Sequence, residues 1–171
     1  MTSISDFMGN FQGLARPNRF RVLLNYPGAV GQPGTRSQFI VSAAALPASR
    51  LGSIPVNYMG RIVPLPGDRE FEDWTVTIRN DASFDHRNAM EKWSNTINSH
   101  QGNLRLNEDY WQTATVHQLA LNADRVLKGY TFYNLWPTSV GQIDLSMDSS
   151  NQIETFQVTF KFTHWESNST T

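Results

Sequence analysis

Alternation at period two runs through most of this chain and limits it to antiparallel β architectures. In 155–163, Phe156, Val158, Phe160 and Phe162 point one way, and Gln157, Thr159, Lys161 and Thr163 point the other. Successive side chains of a strand leave opposite faces, so this pattern is a strand with one buried and one wet face. Trp74, Val76 and Ile78 alternate in the same way with Asp73, Thr75, Thr77 and Arg79, as do Phe20, Val22, Leu24 and Tyr26 with Arg21, Leu23 and Asn25. Further strands are expected over 38–44, 54–58, 61–65, 114–121, 126–136, 142–147 and 152–165. Gly67 and Asp68 are expected to supply the turn before the Trp74 strand, and Asn80, Asp81 and Ser83 offer capping oxygens after it. Pro47, Pro55, Pro64 and Pro66 mark edge-like or bulged segments, because proline cannot donate to a ladder. One helix is expected, over about 83–98, with Phe84, Ala89, Met90, Trp93 and Ile97 on one apolar face. The fold class is therefore mainly β: an antiparallel β-sandwich or partial barrel with one covering α-helix. One helix cannot cover that many strands, and unpaired edges call for closure, cover or a second molecule.

Length and composition bound the rest. The 171 residues suit a single domain spanning 1–171, and 39% hydrophobic with 17% charged residues excludes general disorder. No cysteine is present, which fits a reducing compartment and removes disulfides and thiolate metal sites. No apolar run approaches the ~18 residues of a bilayer span, and the first residues lack the basic start and apolar stretch of a signal peptide, so membrane anchoring and export are not expected. The charge is split. Residues 1–69 carry Arg16, Arg19, Arg21, Arg36, Arg50, Arg61 and Arg69 against Asp6 and Asp68, while the remainder is net acidic. Arginine forks suit bidentate carboxylate pairing. Either the halves neutralise each other within one fold, or basic edges of one copy meet acidic edges of the next, with Arg50, Arg69 and Asp73 as candidates.

Chemistry is sparse. Asp68, Asp73, Asp81 and Asp85 are scattered over different faces and read as turn and cap residues. His86, His100, His117 and His164 show no paired metal spacing. Asp148-Ser-Ser-Asn151 with Glu154 lacks the glycine and ligand spacing of a calcium loop and reads as a hairpin turn. Nucleophile elbows and phosphate-cradling glycine loops are absent. No catalytic residue, cofactor or metal is assigned. Trp74 and Trp93 fall on apolar faces and read as core, whereas Trp136 and Trp165 are candidates for contacts between subunits. A carbohydrate-binding β-sandwich built around exposed tryptophans is the rival reading. The arm 1–15 places Ile4, Phe7, Phe11 and Leu14 at spacings of three, four and three; it docks on its own domain or on a neighbour. The loop 26–36 is a second candidate contact, and 167–171 reads as a flexible tail.

ARPNRF (15–20), AALPAS (44–49), IPV (54–56), GDREFEDWTVT (67–77), the Trp93 helix, LWPT (135–138) and DSSNQIETFQVTF (148–160) together resemble the tail tube proteins of contractile-tailed bacteriophages. The resemblance spans nearly the whole chain. It implies a structural virion protein and not an enzyme: a hexameric ring whose subunits share a continuous inner β-barrel, with rings stacked into the hollow tube through which the genome leaves. It also implies a sheath protein, a baseplate tube initiator, a tape-measure protein and a tail terminator as partners. Assembly would take place in the host bacterial cytoplasm and the product would sit in the virion tail. The tube of a related contractile injection or secretion particle belongs to the same class. Phe7, Phe11, Arg16, Arg36, Arg50, Arg69, Asp73, Trp136 and Trp165 are the candidate subunit-interface residues. DNA would pass without specific binding, along a lumen expected to be neutral to acidic, since a strongly positive wall would hold phosphates.

Overall fold

The alternating segments form strands, and their order follows from where each apolar face can be hidden. A computed structural model describes residue 4 and residues 15–34, 37–103, 110–121 and 125–170; Phe7, Phe11 and Arg36 lie outside the described residues. In chain order the elements are β1 (Phe20–Leu24), α1 (Ser37–Ile40), β2 (Val41–Ala44), β3 (Arg50–Tyr58), β4 (Arg61–Glu70), β5 (Trp74–Arg79), α2 (Asp85–Ile97), β6 (Gln112–Leu119), β7 (Val126–Val140), β8 (Thr155–Lys161) and β9 (His164–Ser167).

β7 organises the body. Its first half pairs with β6, which in turn pairs with β1, while its second half pairs with β8, then β5, then β2. β9 continues along the β8 side of β7, from Tyr133↔His164 to Tyr130↔Ser167. The expected strand over 152–165 is thus two pieces, parted at Phe162 and Thr163. The parting lies beside Asn134, whose φ of 55° bends β7. Asparagine tolerates that left-handed geometry, and a bent strand is how one chain turns the corner between two packed sheets.

The two inner faces and α2 enclose one core containing Val22, Leu24, Val76, Ile78, Met90, Trp93, Val116, Phe132, Phe156, Val158 and Phe160. Trp74 lies flat on Phe132, with ring centroids 4.4 Å apart, and also touches Phe160 at 5.7 Å. α2 starts where the Asp81 carboxylate accepts the Asp85 N–H at 3.1 Å, as its capping position suggests. Its buried face is His86, Ala89, Met90 and Trp93; Phe84 precedes it in left-handed geometry and is exposed, contrary to the expected apolar face. The Tyr26 hydroxyl meets His86 Nδ1 at 2.8 Å, and burial pushes the phenol well above its ordinary pKa.

Three expectations need correction. The strand over 38–44 is a helical turn followed by a short strand, because the Ser37 hydroxyl accepts the Leu24 N–H (3.0 Å) and donates to the Val22 carbonyl (3.2 Å), filling the free edge of β1. A second helix is therefore present beside the covering one. Residues 142–147 form no strand: Ile143 packs on the core, but Leu145 and Met147 face solvent, and among the described residues no strand pairs with them. Gly67 and Asp68 lie within β4 and make no turn. A Cβ on Gly67 would stand 3.1 Å from the backbone of Gly52, so these glycines allow two strands to approach closely at a bulge.

On the outer face, His117 of β6 lies in register between Arg21 of β1 and Gly129 of β7. Its Nδ1 is buried with no hydrogen-bond partner among the described residues. Burial first, and the Arg21 guanidinium second, hold the imidazole below its ordinary pKa. A histidine with a depressed folded pKa contributes stability that is fully present above its unfolded value, about pH 6.5, and is lost as pH falls from there through the lower folded pKa. The drop in urea midpoint between pH 7 and pH 5 is expected to be smaller in His117→Gln than in the parent chain; an equal drop would mean that this histidine carries none of the acid sensitivity.

Candidate assembly interface

Among the described residues β3 and β4 pair with each other and with no other strand, forming a two-stranded arm outside the seven-stranded body. The tip is Met59-Gly60, with φ of 47° and 77°, flanked by the pair Tyr58↔Arg61. Positive φ at both central residues is the tight turn that matches strand twist, and glycine supplies the second at no steric cost. At about 3.3 Å per residue the nine residues of β3 reach ~30 Å. Along the arm every residue is exposed except Gly52 and Gly67, which are half-buried.

The register sorts the side chains. Ile54↔Leu65, Val56↔Val63 and Tyr58↔Arg61 lie directly opposite one another, so Ile54, Val56, Tyr58, Val63 and Leu65 form one continuous apolar face. Ile54 is 54% exposed, Leu65 47% and Tyr58 64%. On the other face stand Ser53↔Pro66, Pro55↔Pro64 and Asn57↔Ile62. A two-residue turn makes its flanking pair hydrogen-bonded, and pairs then alternate along the ladder, so all three prolines fall at non-hydrogen-bonded positions. There the absent N–H would have pointed outward. The prolines spare the internal ladder and blunt both outer edges of the arm. Such an arm resists extension at its edge and leaves its apolar face open.

The arm is rooted in aromatic side chains. Trp74 Nε1 donates to the Ala45 carbonyl at 2.8 Å, and Trp165 Nε1 donates to the Ala48 carbonyl at 3.3 Å. Arg69 donates to the Ser49 hydroxyl at 3.0 Å. Phe71, just after β4, packs on Phe162 and Trp165.

Of the residues singled out in the sequence, Arg50, Arg69, Asp73 and Trp165 lie at or beside this root, the first three of them exposed. Arg16 lies elsewhere, its carbonyl held by Gln118 at 2.7 Å beside the end of β6. Trp136 is half-buried on the second half of β7, edge-on to Tyr110. It lines an open cleft of about 530 Å³ with Ser94, Asn98 and His100. Among the described residues the salt bridge is Arg87–Glu91 at 2.6 Å, so Arg16, Arg19, Arg21, Arg50, Arg61 and Arg69 do not find carboxylates there. Of the tryptophans, Trp74 and Trp93 are buried, Trp136 and Trp165 are half-buried against other rings, and Trp111 is exposed, tilted at 58° to Tyr110 and so not part of a flat platform with it. Among the described residues no group of three or more His, Asp or Glu could hold a metal ion, and no helix is long and apolar enough to cross a membrane. What the sequence reading missed was the shared face of the arm, legible in Ile54, Val56 and Tyr58 alternating against Val63 and Leu65 once the prolines are read as spacers.

Comparison with known proteins gives the chain its family. The model of the family described as phage tail tube protein matches residues 15–168. The tail tube protein gp19 of Enterobacteria phage T4 is 41% identical over 155 residues, covering 89% of this chain and 91% of that protein. The tail tube protein of Serratia phage KSP90 is 30% identical over 168 residues, covering 95% of each. Among solved structures, a chain of the anti-feeding prophage baseplate superposes with a TM-score of 0.65 at 10% identity, covering 92% of this chain and 97% of that one. A chain of the PVC sheath–tube complex of an extracellular contractile injection system gives 0.61 at 15%, covering 98% and 99%. These two likenesses show the fold, and the sequence matches show the kinship: the chain belongs to the phage tail tube protein family.

Proposed function

We propose that copies of this chain close into hexameric rings with a continuous inner β-barrel, and that the rings stack into the hollow inner tube of a contractile tail, the conduit for the genome. The observation that carries this reading is the β3–β4 arm, whose apolar face lies open in the single chain. Burying a fully exposed side chain of this kind is worth on the order of 1.5–3 kcal/mol, and about half of that remains for these half-exposed ones. Five of them on one face provide a gross gain that reaches the lower part of the cost of fixing two molecules together, about 4–15 kcal/mol. Repetition around a ring and along a stack then multiplies the contact.

The role is mechanical and non-enzymatic. Partners follow from relatives whose structures are described as a sheath–tube complex, a baseplate and a tube-terminating cap: a sheath outside the tube, an initiating baseplate and a terminator. A tape-measure protein within the tube is the partner the sequence resemblance adds. Passage of DNA without specific binding suits the outward face of β5 and β8, where Thr75, Thr77, Gln157 and Thr159 dominate and Arg79 and Lys161 stand at opposite ends.

Negative-stain electron microscopy of the concentrated, purified chain, alone and with a baseplate initiator, is expected to show hollow filaments of constant width. A sample that stays monomeric even with the initiator would reject the reading.

A further inference from the structure

We propose that Trp165 is a positioning residue that sets the angle at which the β3–β4 arm leaves the body. This role rests on the assembly reading above. Among the described residues the arm pairs with no strand of the body, so its direction is fixed only at its root. Two irregular segments connect it, 45–49 entering and 71–73 leaving. Trp165 engages both. Its indole N–H holds the Ala48 carbonyl on the entering segment at 3.3 Å, and its ring takes Phe71 of the leaving segment edge-on, 6.3 Å between centroids at 70°. Among the described residues it is the one side chain with a recorded hydrogen bond or ring contact to each segment. Trp74 reaches only Ala45, further upstream, and Phe162 reaches only Phe71.

The seat itself is rigid. Trp165 is opposite Phe132 in the β7–β9 ladder, and Tyr130 packs edge-on against it at 5.3 Å. The direction matters because the arm is a lever. An angular error of about 10° at the root of a ~30 Å arm displaces its tip by ~5 Å, a full strand spacing. A neighbour's surface cannot be matched by a tip that wanders that far, and each encounter must first pay the entropy of fixing it.

The chain has no cysteine, so spin labels can be placed cleanly at Asn57→Cys on the arm and Lys92→Cys on α2, both exposed positions. Double electron–electron resonance on the monomer is expected to give one narrow distance distribution in the otherwise unaltered chain. Trp165→Phe, which keeps a ring but loses the donor, should broaden it, and Trp165→Ala should broaden it at least about twofold, with tube growth slowed about tenfold. The urea midpoint of Trp165→Phe should stay near that of the parent, which separates positioning from a loss of stability. An unchanged width in Trp165→Phe and in any folded Trp165→Ala overturns the proposal. Broadening in a chain that never forms tubes, even with an initiator, would keep the positioning role and reject the tube instead.

Discussion

A double substitution of Ile54→Asp and Leu65→Asp is expected to abolish tube formation while leaving the chain folded. The two residues face each other across the arm, each about half exposed in the single chain, so carboxylates there remain hydrated in the monomer and cost little. In an assembled wall the same carboxylates would be enclosed without partners. Burying an unpaired charge costs several kcal/mol even after relaxation, and two opposed like charges add to each other. A loss of about 3 kcal/mol per contact already weakens association more than 100-fold, and a ring repeats that loss at every joint. Sedimentation velocity should show a monomer across the concentrations at which the parent polymerises, with a urea midpoint close to the parent's. Tubes of normal width at the parent's concentration would remove the arm from the assembly mechanism.

Trp74→Ala is expected to have the largest effect on the fold itself. The indole is 2% exposed, stacked on Phe132, touching Phe160 and donating to the Ala45 carbonyl. Truncating a buried tryptophan typically costs about 3–5 kcal/mol, since the surrounding rings cannot collapse into the space. Domains of this size hold about 5–15 kcal/mol in total, so this one change consumes about a fifth or more. Chemical denaturation at neutral pH reads the effect directly. Trp74→Phe should recover most of it, because the ring volume matters more here than a hydrogen bond to a carbonyl that water can reach. A loss below about 1 kcal/mol in Trp74→Ala would show that the core is not organised around the Trp74–Phe132 stack.

The body of the fold was legible because its strands are half-buried. Phe156, Val158 and Phe160 face the core and Gln157 and Thr159 face water, so the residues announce their strand and its register side. The resemblance to tail tube proteins was carried by the same segments and agrees with the family match. Legibility failed where an interaction between distant residues decided the outcome. The Ser37 hydroxyl bonds to β1 at a separation of 13 to 15 residues, and no local pattern encodes that choice of a helical turn over a strand. The alternation of 142–147 satisfies a strand template, but a strand needs a partner edge, and among the described residues none pairs with it. Gly67-Asp68 has the chemistry of a turn; a bulge facing Gly52 uses glycine for a different reason, the absence of a Cβ. For contacts between copies the sequence pointed to arginines and tryptophans, and of these candidates Arg50, Arg69, Asp73 and Trp165 fall at or beside the root of the arm. It passed over the aliphatic face above them, because small runs broken by proline do not look amphipathic until their pairing is known.

The serine plug on β1 bears on how such a chain survives its own abundance. A cell making thousands of identical β-rich copies is a setting for cross-β precipitation, in which bare backbone templates recruit one another without regard to shape. In this molecule the Ser37 hydroxyl occupies the Leu24 amide and the Val22 carbonyl of β1, and prolines interrupt both margins of the arm. Stickiness is thereby concentrated in side chains, whose fit depends on orientation, and copies that collide wrongly come apart again.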